Sequence, residues 1–382
     1  MNINIYLKKL AIKLERKKDP LFNTSIELQK KYLKSMKEVK NNIHRSFLQY
    51  KCQMKLNGCL ISFFINLFSL PFIFYYYLKK EEIEPLKKKD AIFFRDGKPE
   101  NILPNSLKKE FETIEKNPIE KFFLNTEDKK YIKKLFFQYP LSWHFILKTI
   151  IKIGKYRYCI EIYNPKAIIV CAEYSFTSSI LTDFCEKNNI IHINVMHGEK
   201  LFYMRDSFFK FHRCYIWDKY YKELFKKMLA EESQFIVEIP ESMKLKKEKT
   251  KKGIYDYTYY LGAEKDENLR SICKNLNILK NYGYLISIRP HPRYSDMNII
   301  QSIFSDFNVE NSKKISIESS LLQTKNVISL FSTVLNQALS NNIPIIIDDI
   351  SNEMNYKKLY NLDYICLYKS HKLLSEIVEK EN

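Results

Sequence analysis

Residues 166–196 read KAIIVCAEYSFTSSILTDFCEKNNIIHINVM. KAIIVC (166–171) is a short unbroken apolar run, the pattern of a strand covered on both faces. SSILTDFCEKNN (178–189) has helical spacing, with serines at its start and asparagines at its end. IIHINVM (190–196) is apolar again. Strand, helix and strand at this spacing predict a βαβ unit and a parallel sheet.

The alternation continues on both sides. HRCYIW (212–217) reads as a strand and DKYYKELFKKML (218–229) as a helix. MKLKKEKTKKG (243–253) is dense in charge and nearly free of apolar residues, so it reads as a linker. A second alternation follows: strand IYDYTYYLG, helix NLRSICKNLNILKNYG, strand YLISI (284–288), an irregular stretch, strand NVISL (326–330), helix STVLNQALSNN and strand IPIIID. A helix near 353–361, a strand YICLY (364–368) and a last helix complete it. Upstream, AIFF (91–94) reads as a strand followed by a turn at Asp96, Gly97, Lys98 and Pro99, then helical segments to about Arg157. A chain of 382 residues holds two domains more readily than one or three. The expectation is an α/β protein with two Rossmann-like domains, 86–245 and 252–382, facing a cleft in a GT-B-like layout. Residues 1–85 form a basic helical extension.

Within that extension, residues 1–55 hold 14 Lys or Arg against 4 Asp or Glu. Leu7, Leu10, Ile12 and Leu14, then Ile26, Leu33, Met36 and Val39, recur at helical spacing. Such helices are either solvated or lie on anionic lipid. CLISFFINLFSLPFIFYYYL (59–78) is uncharged, and about 20 apolar residues suffice to cross a bilayer. Lysines on both flanks (Lys51 and Lys55, Lys79 and Lys80) oppose the charge asymmetry of a simple span, and Asn66 and Pro71 interrupt the run. An interfacial or re-entrant element, or a helix buried on the body, is expected, with a span as the alternative. The N-terminal MNINIYLKKLAIKLERKK lacks a long apolar core, so no cleavable signal peptide is expected.

The formal net charge is +19, which points to a polyanionic partner: nucleic acid, an anionic membrane face or a phosphate-bearing substrate. Nucleic acid is not expected, because the excess charge concentrates at the N-terminus and in the linker and no known binding motif occurs. With 7 glycines and neither GxGxxG nor GxxxxGK[ST], a nucleoside-triphosphate loop is not expected. The 8 cysteines show no CxxC pair, which argues against a zinc module and for a reduced compartment.

Two strand ends carry candidate chemistry. RPHPR (289–293) closes the YLISI strand. Its prolines stiffen the backbone around His291, and Arg289 and Arg293 add charge for a phosphate. A histidine there can donate a proton or hydrogen bond to a leaving group. SLFST (329–333) closes the next long strand, with Ser329, Ser332 and Thr333 where a helix begins. Hydroxyls and free N–H groups at a helix start make an anion site. Adjacent strands would put both motifs on one rim around one phosphate.

This pair resembles the HP motif and the Ser-Ser/Thr motif of bacterial GT-B sialyltransferases and polysialyltransferases, and of related capsule and lipooligosaccharide glycosyltransferases. The resemblance extends from about residue 90 onward and is carried by these short motifs. It implies a C-terminal domain that binds the CMP of CMP-sialic acid. It implies His291 as phosphate ligand or acid, and Ser332 and Thr333 as phosphate ligands, with Arg289, Pro292, Arg293 and Ser329 beside them. Glu318, in ISIESS, is a candidate for the ribose. The family's D/E-D/E-G motif, which supplies the base, is missing. Its nearest counterparts are CAEYSFTSS (171–179) and MHGEK (196–200). Glu173, read as opening a helix, is the first choice of base, and His197 and Glu199 are the alternatives. CMP carries one phosphate and the chain has no DxD. No metal and no cofactor are therefore expected, and Asp348-Asp349 is a weak metal candidate. Trp143, His144 and Trp217 read as core or wall.

The expected function is inverting transfer of sialic acid to a glycan or glycolipid hydroxyl at the cytoplasmic face of the inner membrane, by a peripheral or monotopic enzyme. The alternatives are another donor (CMP-Kdo or a UDP-sugar) and a non-catalytic adaptor docking capsule machinery to the membrane.

Overall fold

The structure, a computed structural model, describes residues 24–79, 81–94, 100–116, 118, 121–245 and 253–380. The basic stretch 1–23, the turn expected at 96–99 and linker residues 246–252 lie outside them. Contacts divide the chain into two units. The first comprises 26–197 and 202–241, and the second includes 198–201 and 242 onward.

The first unit runs through α1 (Ile26–Lys34), α2 (Asn42–Asn57), α3 (Cys59–Leu78), β1 (Ala91–Phe93), α4 (Asn105–Glu110), β2 (Ile114–Lys116), α5 (Thr126–Gln138) and α6 (Trp143–Tyr163). It continues with β3 (Ala167–Val170), α7 (Ser178–Lys187), β4 (Ile191–Val195), β5 (Arg213–Ile216), α8 (Lys219–Lys227) and β6 (Phe235–Val237). The strands pair in parallel in the order β2-β1-β3-β4-β5-β6. The order reverses between β1 and β3, and beyond the carboxyl ends of strands at such a reversal a crevice opens. β1 and β3 are buried throughout, as their unbroken apolar runs require.

Buried polar groups stitch α1 and α2 into this unit. Gln29 Oε1 accepts the Met204 N–H (2.8 Å), and Ser46 Oγ accepts the Ile180 N–H (2.8 Å). Gln49 Nε2 donates to the carbonyls of Glu173 and Arg205 (both 2.9 Å). The boundary expected at 85/86 therefore falls inside the first unit. Asn125 and Asp128 form a reciprocal cap on α5. The Asp128 carboxylate also takes Arg157 of α6 in a two-pronged pair (2.8 and 2.9 Å), and Arg157 reaches Asn188 at the end of α7 (2.7 Å).

The second unit contains β7 (Tyr255–Tyr260), α9 (Asp266–Asn281), β8 (Ile286–Arg289), α10 (Met297–Ile303), β9 (Asn308–Val309) and α11 (Ile317–Gln323). It ends with β10 (Thr324–Ser329), α12 (Thr333–Ser340), β11 (Ile345–Ile347), α13 (Glu353–Asn361), β12 (Lys372–Leu373) and α14 (Leu374–Lys380). Its parallel sheet is ordered β12-β11-β10-β7-β8-β9. Numbered from the unit's own first strand this is the Rossmann order 3-2-1-4-5-6, with its reversal between β7 and β10. The chain is thus α/β with two Rossmann-like domains, the GT-B-like content expected.

Some elements differ from expectation. YICLY does not form a strand: Ile365–Tyr368 is a 3-10 turn, and the strand is Lys372–Leu373. Tyr364, Ile365 and Cys366 are all buried, and a short apolar run does not by itself distinguish a wound turn from a covered strand. β2, β6 and β9 went unread because two or three residues carry no period. The stretch expected to be irregular after β8 holds α10, β9 and α11.

Candidate active site

On the second unit, the chain leaves β8 at Arg289 and turns at once. The His291 N–H donates to Ser295 Oγ (2.8 Å), and its carbonyl accepts the Ser295 N–H (3.2 Å). The ring Nδ1 accepts the N–H groups of Arg293 (3.1 Å) and Tyr294 (3.2 Å). Tyr294 stacks on the imidazole, centroids 4.5 Å apart and planes at 27°. With Nδ1 held as an acceptor, the neutral ring carries its proton on Nε2, which is then a donor. The turn thus sets the tautomer as well as the position of His291.

β10 ends at Ser329, and α12 starts four residues on. Ser332 is its N-cap, with extended backbone and Oγ accepting the Val334 N–H (3.2 Å). The Leu335 N–H donates to the Ser332 carbonyl (3.1 Å), which leaves the Ser332 hydroxyl proton and the Thr333 N–H as donors of the kind that hold anions. β8 and β10 are not neighbours, contrary to expectation: both pair with β7, which lies between them. Strands lie about 4.8 Å apart, so the two motifs are separated by about 10 Å across the sheet. The end of β7 lies between them, at the reversal.

Other expected ligands have structural partners. Arg289 is buried, paired with Glu310 (2.7 Å) and donating to the Ile315 carbonyl (2.9 Å). Glu310 in turn accepts Ser320 Oγ (2.9 Å). This arginine ties β8 to the segment after β9 instead of offering its fork to a phosphate. Ser329 is buried and donates to the Tyr260 carbonyl (2.9 Å), fastening β10 to β7. Pro292 and Arg293 are exposed beside the His291 turn. Glu318 lies in the first turn of α11, after the Ser316 cap, and not at a strand end.

The sequence reading passed over the turn after β7. There both Glu264 oxygens accept the Gly262 N–H (2.9 and 2.7 Å). Burial pushes the Glu264 carboxyl above the ordinary range, against the backbone N–H groups it accepts, and Asp348 adds to the rise. Asp348, just past β11, is likewise raised by burial while accepting Tyr259 Oη (2.6 Å) and the Ser351 N–H (2.9 Å). The available signal was YLGAE: one of 7 glycines, placed directly after the first strand of a Rossmann unit.

On the first unit, Glu173 follows β3 and His197 follows β4, and these strands are neighbours. Glu173 does not open a helix, as α7 begins only at Ser178. Its side chain is 1% exposed, against 22% for His197, and His197 Nδ1 stands 4.0 Å from Glu173 Oε1. The turn is pinned by Asn194 Oδ1 accepting the Ala172 N–H (2.7 Å) and by Ser178 Oγ donating to the Ala172 carbonyl (2.5 Å). Arg205, another residue not anticipated, packs its guanidinium over Tyr174 and Tyr203 (5.4 and 5.0 Å) and bonds Asp206 (3.0 Å). Glu199 parts from His197 at Gly198, whose φ is +70°, and falls within the second unit. There its carboxylate accepts Asn336 Nδ2 of α12. Trp217 is buried in the core, Trp143 is half-buried with its indole N–H donating to the Pro140 carbonyl (3.0 Å), and burial lowers His144 to about 4.

No family model and no curated protein matches the chain. Among solved structures it is similar to the wall teichoic acid polymerase TagF (12% identity, 85% of this chain and 89% of that one, TM-score 0.42). It is similar to a putative UDP-N-acetylglucosamine 2-epimerase from Listeria monocytogenes (11% identity, 77% and 87%, TM-score 0.47). It is also similar to the apo lipopolysaccharide outer core galactosyltransferase WaaB (11% identity, 76% and 93%, TM-score 0.39).

Proposed function

We propose that the chain is a glycosyltransferase of bacterial surface polysaccharide synthesis, moving sialic acid from CMP-sialic acid to a hydroxyl of a glycan or glycolipid with inversion. The observation that carries the reading is His291, held with Nδ1 as acceptor and Nε2 as donor at a strand end, one strand away from the capped start of α12. Such an arrangement suits a single leaving phosphate.

In the step, the acceptor oxygen bonds to the anomeric carbon while the bond from that carbon to the CMP phosphate oxygen breaks. The electron pair departs with the phosphate. The Nε2–H of His291, the Ser332 and Thr333 hydroxyls and the Thr333 N–H stabilise its charge. The hydroxyl proton passes to a base, which we assign to His197 in place of Glu173. A carboxylate 1% exposed does not meet an incoming hydroxyl, whereas the imidazole 4.0 Å from it is 22% exposed. Glu173 is then a positioning residue whose charge favours the imidazolium that forms. Glu199, engaged by Asn336, is set aside as base. One phosphate and the lack of a DxD favour a reaction without a metal.

The test is nucleotide release from CMP-sialic acid, CMP-Kdo and UDP-sugars by the full chain, in EDTA, with and without sugar acceptors. Release of CMP from CMP-sialic acid, raised by acceptor, is expected. Release only from CMP-Kdo or a UDP-sugar replaces the donor. No release from any donor, by protein shown to be folded, favours the adaptor.

A further inference from the structure

α3 is uncharged along all 20 residues, and its two long faces have different surroundings. One stripe is fastened to the protein. Ser69 and Ile73 are buried. Asn66 Nδ2 donates to the Leu141 carbonyl (2.7 Å), and its Oδ1 accepts the His144 N–H (3.0 Å), which seats α3 on the start of α6. The opposite stripe, following the i, i+3, i+4 pattern through Leu60, Phe63, Phe64, Leu67, Phe68 and Phe74, is exposed. Between α3 and α6 lies an open hollow of about 480 Å³ lined by Ile61, Phe64, Ile65, Phe68, Phe72 and Leu147. Contiguous apolar surface of this kind marks an interaction site.

We infer that this stripe docks the first unit onto an anionic bilayer, with α3 lying in the plane of the interface and acyl chains entering the hollow. Charge selects this occupant over a second copy of the chain. Lys51 and Lys55 are exposed just before α3 and Lys148 is exposed on α6, while Lys79 at the far end of α3 is paired with Glu81. A chain of net charge +19 repels its copies and is drawn to anionic headgroups. The tyrosines at the end of α3, Tyr75, Tyr76 and Tyr77, also suit the headgroup level. The Asn66 bonds decide between lying and spanning: a span would surround α3 with lipid, whereas the stripe through Asn66, Ser69 and Ile73 is held against the protein.

The experiment is co-sedimentation of the full chain with extruded vesicles of phosphatidylcholine alone or with phosphatidylglycerol. Binding to the mixed vesicles, weakened by salt, is expected. The pair F64D/F68D should lower partitioning about tenfold or more with an unchanged circular dichroism spectrum, because both rings are exposed. In a chain whose exposed native thiol is removed by Cys59→Ser, thiols introduced by Asn57→Cys and Lys79→Cys should both react with an impermeant maleimide added outside the vesicles. Three results would overturn the inference: partitioning unaffected by F64D/F68D, one end of α3 protected from the reagent, or a wild type that ignores vesicles and self-associates until those two changes make it monomeric.

Discussion

At His197 and Glu173 the difference in exposure separates two roles that the sequence left open. With His197 as the base, His197→Gln lowers turnover about 10²- to 10⁴-fold while nucleotide binding is unchanged. Glu173→Gln keeps the base but removes the group 4.0 Å from it, so it should lower kcat by less than His197→Gln does, with KM little changed. A loss from Glu173→Gln as large as that from His197→Gln would return the base to Glu173. Arg289 behaves differently. Its side chain is 7% exposed and that of Glu310 1%, so Arg289→Met strands a buried carboxylate. Leaving such a charge unpaired costs about 3–5 kcal/mol. Urea unfolding should show that loss, and nucleotide affinity measured on the folded fraction should be little changed. The sequence placed Arg289 correctly at a strand end. Nothing in RPHPR revealed Glu310, 21 residues on, because an ion pair between strands depends on the order in which they pair.

At the scale of elements, the strands that fix the two sheets were readable wherever an apolar run reached four or five residues. Ala167–Val170, Ile191–Val195 and Thr324–Ser329 stand where the pattern put them. Two- and three-residue edge strands were not readable. Strand order was not readable either, and it places β7 between the His291 and Ser332 turns. The Ser332 cap was legible from SLFST, and Ser332→Ala should cost about 1 kcal/mol of stability by losing the Val334 N–H partner. On the proposed function it should also weaken binding of the donor's phosphate. Stability lost without any change in nucleotide affinity would leave Ser332 a cap and nothing more. Glu264 shows the limit of motif reading, since its partner Gly262 is two residues away yet the carboxyl is raised by burial that only the folded turn creates.

For the whole molecule, buried histidines set the response to acid. His192 is enclosed, with Nε2 on Tyr156 Oη (3.0 Å) and Nδ1 on Thr182 Oγ1 (2.8 Å), and burial lowers it to about 3. Burial lowers His144 to about 4. Between these values and the ordinary histidine value of about 6.5, the unfolded chain binds protons that the folded chain does not. Their contribution is therefore complete above about pH 6.5 and is lost as pH falls, by about 1.4 kcal/mol per pH unit for each histidine. Urea midpoints at pH 7 and 4.5 should differ accordingly, and His192→Gln should flatten the slope. A slope unchanged by that substitution would show that other groups govern acid unfolding.

The proposed function requires the second unit to hold a nucleotide's single phosphate at the His291 turn. Calorimetric titration of the full chain with CMP, cytidine, UDP and GDP, on wild type, His291→Ala and Ser332→Ala, tests it most directly. CMP is expected to bind, cytidine to bind much more weakly, and both substitutions to bring CMP down towards cytidine. Equal affinity for CMP and cytidine, or CMP binding untouched by His291→Ala, would contradict it.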